Sequence, residues 1–114
     1  MAGGTGGHVF PALSIAEYLI SKGVQVEWLG TRNGLEAKVI AATEIPLHFI
    51  SIAGLRGSSL LRKILSPLVI FIAVFQSIFK VIQIKPECVL GMGGFVTGPG
   101  GLATWLLRKK LLIH

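Results

Sequence analysis

Residues 3–11 read GGTGGHVFP, and the rest of the chain is expected to fold around this stretch. Four of residues 3–7 are glycines, which allow the backbone to turn sharply and a ligand to approach it closely. Apolar residues recur at helical spacing after the glycines, and Pro11 suits an early position in a helix. The stretch therefore predicts a tight loop that ends at a helix N-terminus, where free N–H groups favour an anion.

His8, at the end of the predicted loop, is the loop's one residue that exchanges a proton near neutral pH. The sequence of this loop does not match two common nucleotide-binding patterns. The dinucleotide pattern GxGxxG, started at Gly4, meets Val9 instead of its last glycine, and the Walker pattern meets His8 instead of its lysine. A standard NAD or ATP site is therefore not expected. The alternative to a ligand site is a turn that only lets a helix cross a strand closely.

The composition is that of a small, apolar and basic protein. Its 114 residues allow one domain at most. Hydrophobic residues make up 52% and charged residues 14% of the chain, against about 25% charged in average domains. The net charge of +6 fits an anionic bilayer, a phosphorylated substrate or nucleic acid. Aromatic residues do not alternate with the basic ones, so nucleic acid is not an expected partner.

Predicted strands alternate with predicted helices along the chain. The predicted strands cover residues 24–29, 48–52, 87–90 and 111–113. The first predicted helix follows the glycine loop and ends at Gly23. The other predicted helices cover residues 35–43, residues 60–84 with an interruption at Pro67, and residues 102–107. This alternation predicts βαβ units and a parallel sheet, with ligands beyond the carboxyl ends of the strands. No strand precedes residues 3–8 although the βαβ rule requires one, so we expect a piece of a longer protein.

The same pattern predicts three local features. Glu36 should face outward from the short amphipathic helix. Cys88, the one cysteine, allows no internal disulfide and should be a small core residue in an apolar strand. The glycine-rich residues 91–101 should form a second loop after a strand.

A run of sixteen uncharged residues, 64–79, has basic residues on both sides. A bilayer span needs about 20 residues. The run therefore predicts a helix packed on the sheet or a helix whose outer face enters an anionic membrane surface, with a true span as a third alternative. Trp105 and the basic residues after it have the chemistry of a second membrane contact or of a solvated turn.

Three motifs closely resemble those of the bacterial glycosyltransferases that form lipid II in peptidoglycan synthesis, in glycosyltransferase family 28. They are GGTGGHVFP at residues 3–11, GLRG at residues 54–57 and GMGGFVTGPGG at residues 91–101. The resemblance implies a GT-B fold, in which two Rossmann-like α/β domains with parallel sheets face each other across a cleft. Residues 1–114 resemble an incomplete N-terminal, acceptor-binding domain, without its first strand and without the C-terminal donor domain.

The resemblance also implies a reaction: inverting transfer of GlcNAc from UDP-GlcNAc to the C4 hydroxyl of lipid I. Such a transfer needs a general base near the hydroxyl and stabilisation of the departing diphosphate. His8 is the candidate base, with a role in organising the loop as the alternative. The expected substrate-binding residues are Thr5, Gly6, Gly7, Gly93, Gly94, Phe95, Thr97 and Gly98. No metal is expected, since the chain has no Asp and no paired carboxylates, and no other cofactor is expected.

The lipid tail of the acceptor accounts for an expected membrane contact near Leu68, Phe71 and Phe75, together with Trp105. The expected partners are therefore UDP-GlcNAc, lipid I and an anionic membrane, at the cytoplasmic face of the inner membrane. Phe95 replaces the tyrosine more usual in the family and has no hydroxyl to donate. Alone, the chain is expected to be inactive. Two other functions stay open: a non-catalytic membrane-docking subunit of a split GT-B transferase, and a generic nucleotide-binding domain.

Overall fold

The structure, a computed structural model, describes residues 1–51, 60–94 and 96–114, and for residues 60–66 it describes the backbone alone. Helices and strands alternate in this part of the chain, as the hydrophobic pattern predicts. In chain order they are α1 (Gly6–Ser21), β1 (Trp28–Gly30), α2 (Leu35–Ala41), β2 (Leu47–Phe49), α3 (Leu60–Ile84), β3 (Cys88–Gly91), α4 (Thr97–Leu106) and β4 (Lys110–Ile113).

The strands form two parallel pairs. β1 pairs with β2, with Leu29 opposite His48, and β3 pairs with β4, with Leu90 opposite Leu112. A helix connects the two strands of each pair, α2 in the first and α4 in the second. Parallel strands joined by a helix are βαβ units, so the predicted α/β fold with parallel strands is confirmed.

The first two residues connect the two strand pairs. The Met1 nitrogen donates to Leu90 O (2.7 Å), and Met1 O accepts the Met92 N–H (3.0 Å), which is the pattern of a parallel ladder. The indole Nε1 of Trp28, a buried residue of β1, donates to Ala2 O at 3.0 Å. Both strand pairs therefore hold the backbone that leads into residues 3–8.

The core consists of two buried clusters. The larger one surrounds Trp28 and contains Ala2, Val9, Ala12, Ala16, Trp28, Ile40, Ile45 and Met92. The smaller one contains Leu29, Ile50, Ala73 and Val96. Small residues of α1 line the larger cluster at helical spacing, which lets this helix lie close to Trp28.

α3 is one continuous helix of 25 residues that passes through Pro67. The prediction of an interruption at Pro67 is wrong. A proline inside a helix removes one backbone hydrogen bond and strains the preceding turn. The packing of α3 against α4 and the burial of Ala73 in the core offset that local loss.

α3 has a buried face and an opposite exposed apolar face. The buried residues are Ala73, Val74, Ser77 and Val81. The exposed residues on the other side are Leu68, Phe71, Ile72, Phe75, Phe79 and Ile82, which we call the α3 stripe. Apart from the adjacent pair Phe71 and Ile72, consecutive members are three or four positions apart, so the residues share one face. By length and composition alone, Pro67–Ile84 is apolar enough to cross a membrane, a test that the core helix of a soluble protein can also pass.

Two further details differ from the sequence-based expectations. Cys88 is exposed rather than buried, because it opens β3 directly after the exposed Glu87. The first predicted strand is shorter, since residues 24–27 alternate in polarity but join no strand in the described ranges. The chain becomes a strand only at Trp28, whose N–H donates to Pro46 O at 2.8 Å.

Candidate functional site

The first glycine loop ends where α1 begins. Thr5 O accepts the backbone N–H groups of His8 and Val9, each at 3.1 Å. The Thr5 side chain is exposed and makes no capping hydrogen bond to the helix. Its hydroxyl is therefore free of the helix that it precedes. Because α1 already begins at Gly6, Pro11 lies in the second turn of the helix, one turn later than its sequence position suggests.

The second glycine loop connects β3 to α4. The predicted loop covered residues 91–101, but residues 97–101 belong to α4, since Pro99 is tolerated in the first turn of a helix. Thr97 Oγ1 donates to Gly93 O (2.9 Å) and accepts the Gly93 N–H (3.0 Å). These two bonds close the loop onto the helix N-terminus and engage the Gly93 amide within the protein.

The two glycine loops touch each other. Gly93 has φ 103°, and a Cβ there would lie 2.5 Å from Nδ1 of His8. Gly94 has φ 83°, and a Cβ there would overlap the carbonyl oxygen of Gly3. Positive φ and the missing side chain are both needed, so only glycine fits these two positions without displacing the first loop.

His8 lies at the contact between the loops with its ring half-buried. Its Nδ1 is 3.2 Å from Met92 O. A carbonyl oxygen only accepts hydrogen bonds, so in this contact Nδ1 carries the proton. In the neutral ring the proton on Nδ1 leaves Nε2 as an acceptor. With Nδ1 as the donor, Nε2 is the nitrogen of the neutral His8 ring that can accept a proton.

Glu36 is the second ionisable residue at the first loop, and its position corrects a prediction. The sequence places it on the outer face of α2, but its side chain is 0% exposed. Its Oε2 accepts the Gly4 N–H (3.1 Å), and its Oε1 accepts the N–H and the hydroxyl of Thr31, both at 2.8 Å. The outward prediction fails because donors from Gly4 and Thr31 satisfy the carboxylate inside the protein.

Glycines make room for the Glu36 side chain. A Cβ on Gly3 would lie 2.7 Å from Glu36 Oε1, and one on Gly30 would lie 2.6 Å from Glu36 Cγ. Gly34, the residue before α2, would also clash with the carboxylate if it carried a side chain. Burial acts to raise the pKa of Glu36, but hydrogen bonds from Thr31 and Gly4 outweigh burial and hold that pKa below its usual value.

Sequence reasoning found most residues of the two loops but missed Glu36. Thr5, Gly6, Gly7 and His8 lie on the first loop and the first turn of α1, and Gly93, Gly94, Thr97 and Gly98 lie on the second loop and the start of α4. The glycines of GTRNGLE at residues 30–36 were the available signal, since Gly30 and Gly34 come shortly before the glutamate.

Other predicted residues lie elsewhere. Phe95 and the GLRG motif at residues 54–57 fall outside the residues that the structure describes. Leu68, Phe71 and Phe75 are 56%, 62% and 49% exposed on α3, and Trp105 is 66% exposed on α4. Within the described ranges, no three His, Cys, Asp or Glu side chains gather as metal ligands would.

Comparisons with known proteins give the chain a family. The profile of the glycosyltransferase family 28 N-terminal domain matches residues 1–114. A curated relative from Marinobacter nauticus is 53% identical over 114 residues and is named UDP-N-acetylglucosamine–N-acetylmuramyl-(pentapeptide) pyrophosphoryl-undecaprenol N-acetylglucosamine transferase. A relative of the same name from Alkalilimnicola ehrlichii is 52% identical. The alignments cover all of this chain but 31% and 32% of these relatives, so the chain spans about a third of their length.

A solved structure is similar as well. The crystal structure of Acinetobacter baumannii MurG superposes with a TM-score of 0.87 at 46% sequence identity, covering 100% of this chain and 33% of that one. This agreement confirms the Rossmann-like fold that the family resemblance implies, and with it the parallel α/β arrangement predicted from the alternating strands and helices. The chain therefore belongs to glycosyltransferase family 28 and corresponds to the N-terminal domain of that family.

Proposed function

We propose that the chain supplies the acceptor-binding half of an enzyme that transfers GlcNAc from UDP-GlcNAc to the C4 hydroxyl of lipid I, forming lipid II. The names of the relatives support the reaction, and the match to the N-terminal domain of the family supports the acceptor-binding half as the part that this chain supplies. Because the chain spans about a third of those relatives, activity is expected only together with a donor-binding domain.

The observation that carries the proposal is the setting of His8. Its Nδ1 donates to Met92 O, which leaves Nε2 as an acceptor at the contact of the two glycine loops. A general base must be an acceptor held in one orientation next to the hydroxyl that it deprotonates. The Glu36 carboxylate is a poorer candidate, since it is buried and already accepts three hydrogen bonds.

In the proposed reaction His8 takes the proton of the C4 hydroxyl as the oxygen attacks C1 of GlcNAc. The new C4–O–C1 bond forms on the face opposite the leaving group, which inverts C1. The bond between C1 and the diphosphate oxygen breaks, and UDP leaves with the electron pair. The proton stays on the imidazole until solvent removes it, so the step balances without another reactant.

The diphosphate of the acceptor is assigned to the second loop. The N-terminus of α4 faces that loop and favours a negative charge. Gly98, in the first turn of α4, is exposed and leaves its surroundings open, because a Cβ there would meet nothing within 4 Å. Thr5 offers an exposed hydroxyl from the other loop, which makes no capping bond to α1.

The α3 stripe is proposed to rest on the cytoplasmic face of an anionic inner membrane, with the protein bound peripherally. Phe71 and Phe75 stack edge to face at 4.9 Å between ring centroids and are both exposed. α4 packs against α3 and exposes Trp105, which is followed by the exposed residues Arg108–Lys110 in sequence. Exposed apolar and aromatic side chains beside basic ones are typical of interfacial binding.

The direct test is a chimera in which this chain replaces the matching residues of the Marinobacter nauticus relative. Lipid II formation from lipid I and UDP-GlcNAc is measured by the release of UDP. Activity within about tenfold of the relative supports the proposal, and a folded chimera without activity contradicts it.

His8 variants separate a base from a loop organiser. In His8→Asn the side-chain amide can still donate to Met92 O in place of Nδ1, but it cannot act as a base. A general base predicts a loss of at least ~10²-fold in kcat for both His8→Asn and His8→Ala. If His8→Asn keeps the activity of the unsubstituted chimera while His8→Ala loses it, His8 organises the loop and the base lies elsewhere.

The membrane proposal has its own test. The chain is sedimented with vesicles of anionic or zwitterionic lipid, and the double change Phe71→Ser/Phe75→Ser is compared with Phe10→Ser, an exposed phenylalanine on α1. We expect preference for anionic vesicles and at least ~10-fold weaker partitioning for the double variant alone. Equal loss in both variants would argue against a specific face. Vesicle binding by a chain whose chimera is inactive would instead favour the docking-subunit alternative.

A further inference from the structure

Glu36 is a buried carboxylate that the proposed reaction does not use. Its oxygens bond to two segments distant from each other in sequence, the first glycine loop at Gly4 and the residue after β1, Thr31. No described lysine, arginine or histidine pairs with it, so its charge is compensated by backbone and hydroxyl donors. These three hydrogen bonds replace the water that a buried carboxylate loses, and they tie the first glycine loop to the residue after β1.

The segment that Glu36 holds leads directly to His8. Gly4 is bonded to Glu36 on one side, and the preceding Gly3 lies against Gly94 of the second loop. Four residues after Gly4, the His8 ring bonds to Met92 O at 3.2 Å. The backbone from Gly3 to His8 is thus fixed at its first end by Glu36 and at its second end by the loop after β3.

We propose that Glu36 is a positioning residue: its carboxylate clamps Gly4 to Thr31 and thereby sets the place of His8 against the second glycine loop. This inference rests on the proposed function for its catalytic consequence. The depressed pKa of Glu36 is consistent with a carboxylate that stays ionised in this position. Glu36 does not touch the reacting atoms and acts only through the loop.

The first experiment compares Glu36→Gln with Glu44→Gln in the chimera. Glutamine keeps the shape but turns one acceptor into an N–H donor, which then faces the N–H of Gly4 or Thr31. Glu44 is exposed just after α2 and serves as the matched control. Misplacing a catalytic group by about 1 Å lowers rates by about 10²-fold, so we expect that loss in kcat for Glu36→Gln, KM for UDP-GlcNAc within ~3-fold, and no change for Glu44→Gln.

The second readout does not depend on activity. In the 114-residue chain labelled with ¹⁵N, the ring nitrogens of His8 report which one carries the proton. The unsubstituted chain should show the proton on Nδ1, and Glu36→Gln should show a mixture of both tautomers. A structural role alone would lower the melting temperature and leave the His8 signals of the folded fraction unchanged.

Glu36→Asp keeps the inference testable if Glu36→Gln does not fold. Aspartate keeps the charge, but it is one methylene too short to reach both Gly4 and Thr31, so the same loss of kcat and the same change at His8 are expected. A folded variant with unchanged kcat and unchanged His8 signals overturns the inference, as does an activity that falls only with the folded fraction. If the unsubstituted chimera is inactive, the proposed function fails, and the His8 signals alone decide the role of Glu36.

Discussion

Gly94→Ala tests the contact between the two glycine loops. Gly94 has φ 83°, and an alanine in that region loses about 1–2 kcal/mol of folding free energy. Its Cβ would also overlap the carbonyl oxygen of Gly3, a backbone atom that cannot rotate away. Overpacking of this kind costs about 1–3 kcal/mol. The expected total loss is therefore about 2–5 kcal/mol.

Two other glycines separate these contributions. Gly23 has φ 82°, and a Cβ there would meet nothing within 4 Å, so Gly23→Ala carries the conformational cost alone. Gly98 is helical with equally open surroundings, so Gly98→Ala should stabilise the chain by about 0.5–1 kcal/mol. The free energy of unfolding is measured for each variant by urea titration with circular dichroism.

The loop contact predicts the order Gly94→Ala, Gly23→Ala, unsubstituted chain, Gly98→Ala, from least to most stable. The difference between the first two variants isolates the overlap with Gly3, since their φ values are nearly the same. If the free energies of unfolding of Gly94→Ala and Gly23→Ala differ by less than about 0.5 kcal/mol, which is the usual error of additivity, the loops do not touch as described.

Three further predictions concern stability. Because the pKa of Glu36 lies below its ordinary value of 4.5, its ionised form stabilises the fold above that pH, and this contribution is lost as the pH falls through the lower folded pKa. Urea titrations at pH about 6 and about 3.5 should show that acid lowers the free energy of unfolding less in Glu36→Gln than in the unsubstituted chain, and equal decreases would contradict the lowered pKa of Glu36. Trp28→Phe leaves Ala2 O without its buried donor and should lower the free energy of unfolding by about 1–3 kcal/mol, whereas the same change at the exposed Trp105 should have little effect. Thr97→Val removes both bonds to Gly93 and should speed amide exchange at Gly93, whereas Thr97→Ser should restore slow exchange.

The alternation of strands and helices was predictable because it depends on local spacing. Apolar residues at intervals of two or of three to four mark the pleat of a strand and the face of a helix before any tertiary contact forms. The two glycine loops were predictable for a similar reason, since glycines grouped after or before such segments indicate sharp turns. Thr97–Leu106 shows the limit, because its first residues look like a loop and become helical once Thr97 bonds back to Gly93.

The exposure of single side chains was less predictable. Cys88 belongs to an apolar run yet is exposed, since its position at the amino end of β3 leaves it uncovered. Pro67 looks like a break, yet α3 continues through it because packing against α4 outweighs one lost bond. For Pro67 a helix distant in sequence decided the outcome, and for Cys88 the point where the strand begins decided it.

The α/β class, the two glycine loops and the place of His8 in the first loop follow from residue type and local spacing along the chain. Three features depend instead on contacts made in the folded chain: the loops touch through Gly94 and Gly3, Met92 O fixes the proton of His8 on Nδ1, and Glu36 is buried. The physical reason is that a buried polar group needs partners, and the partners of Glu36 are 5 and 32 residues away in the chain.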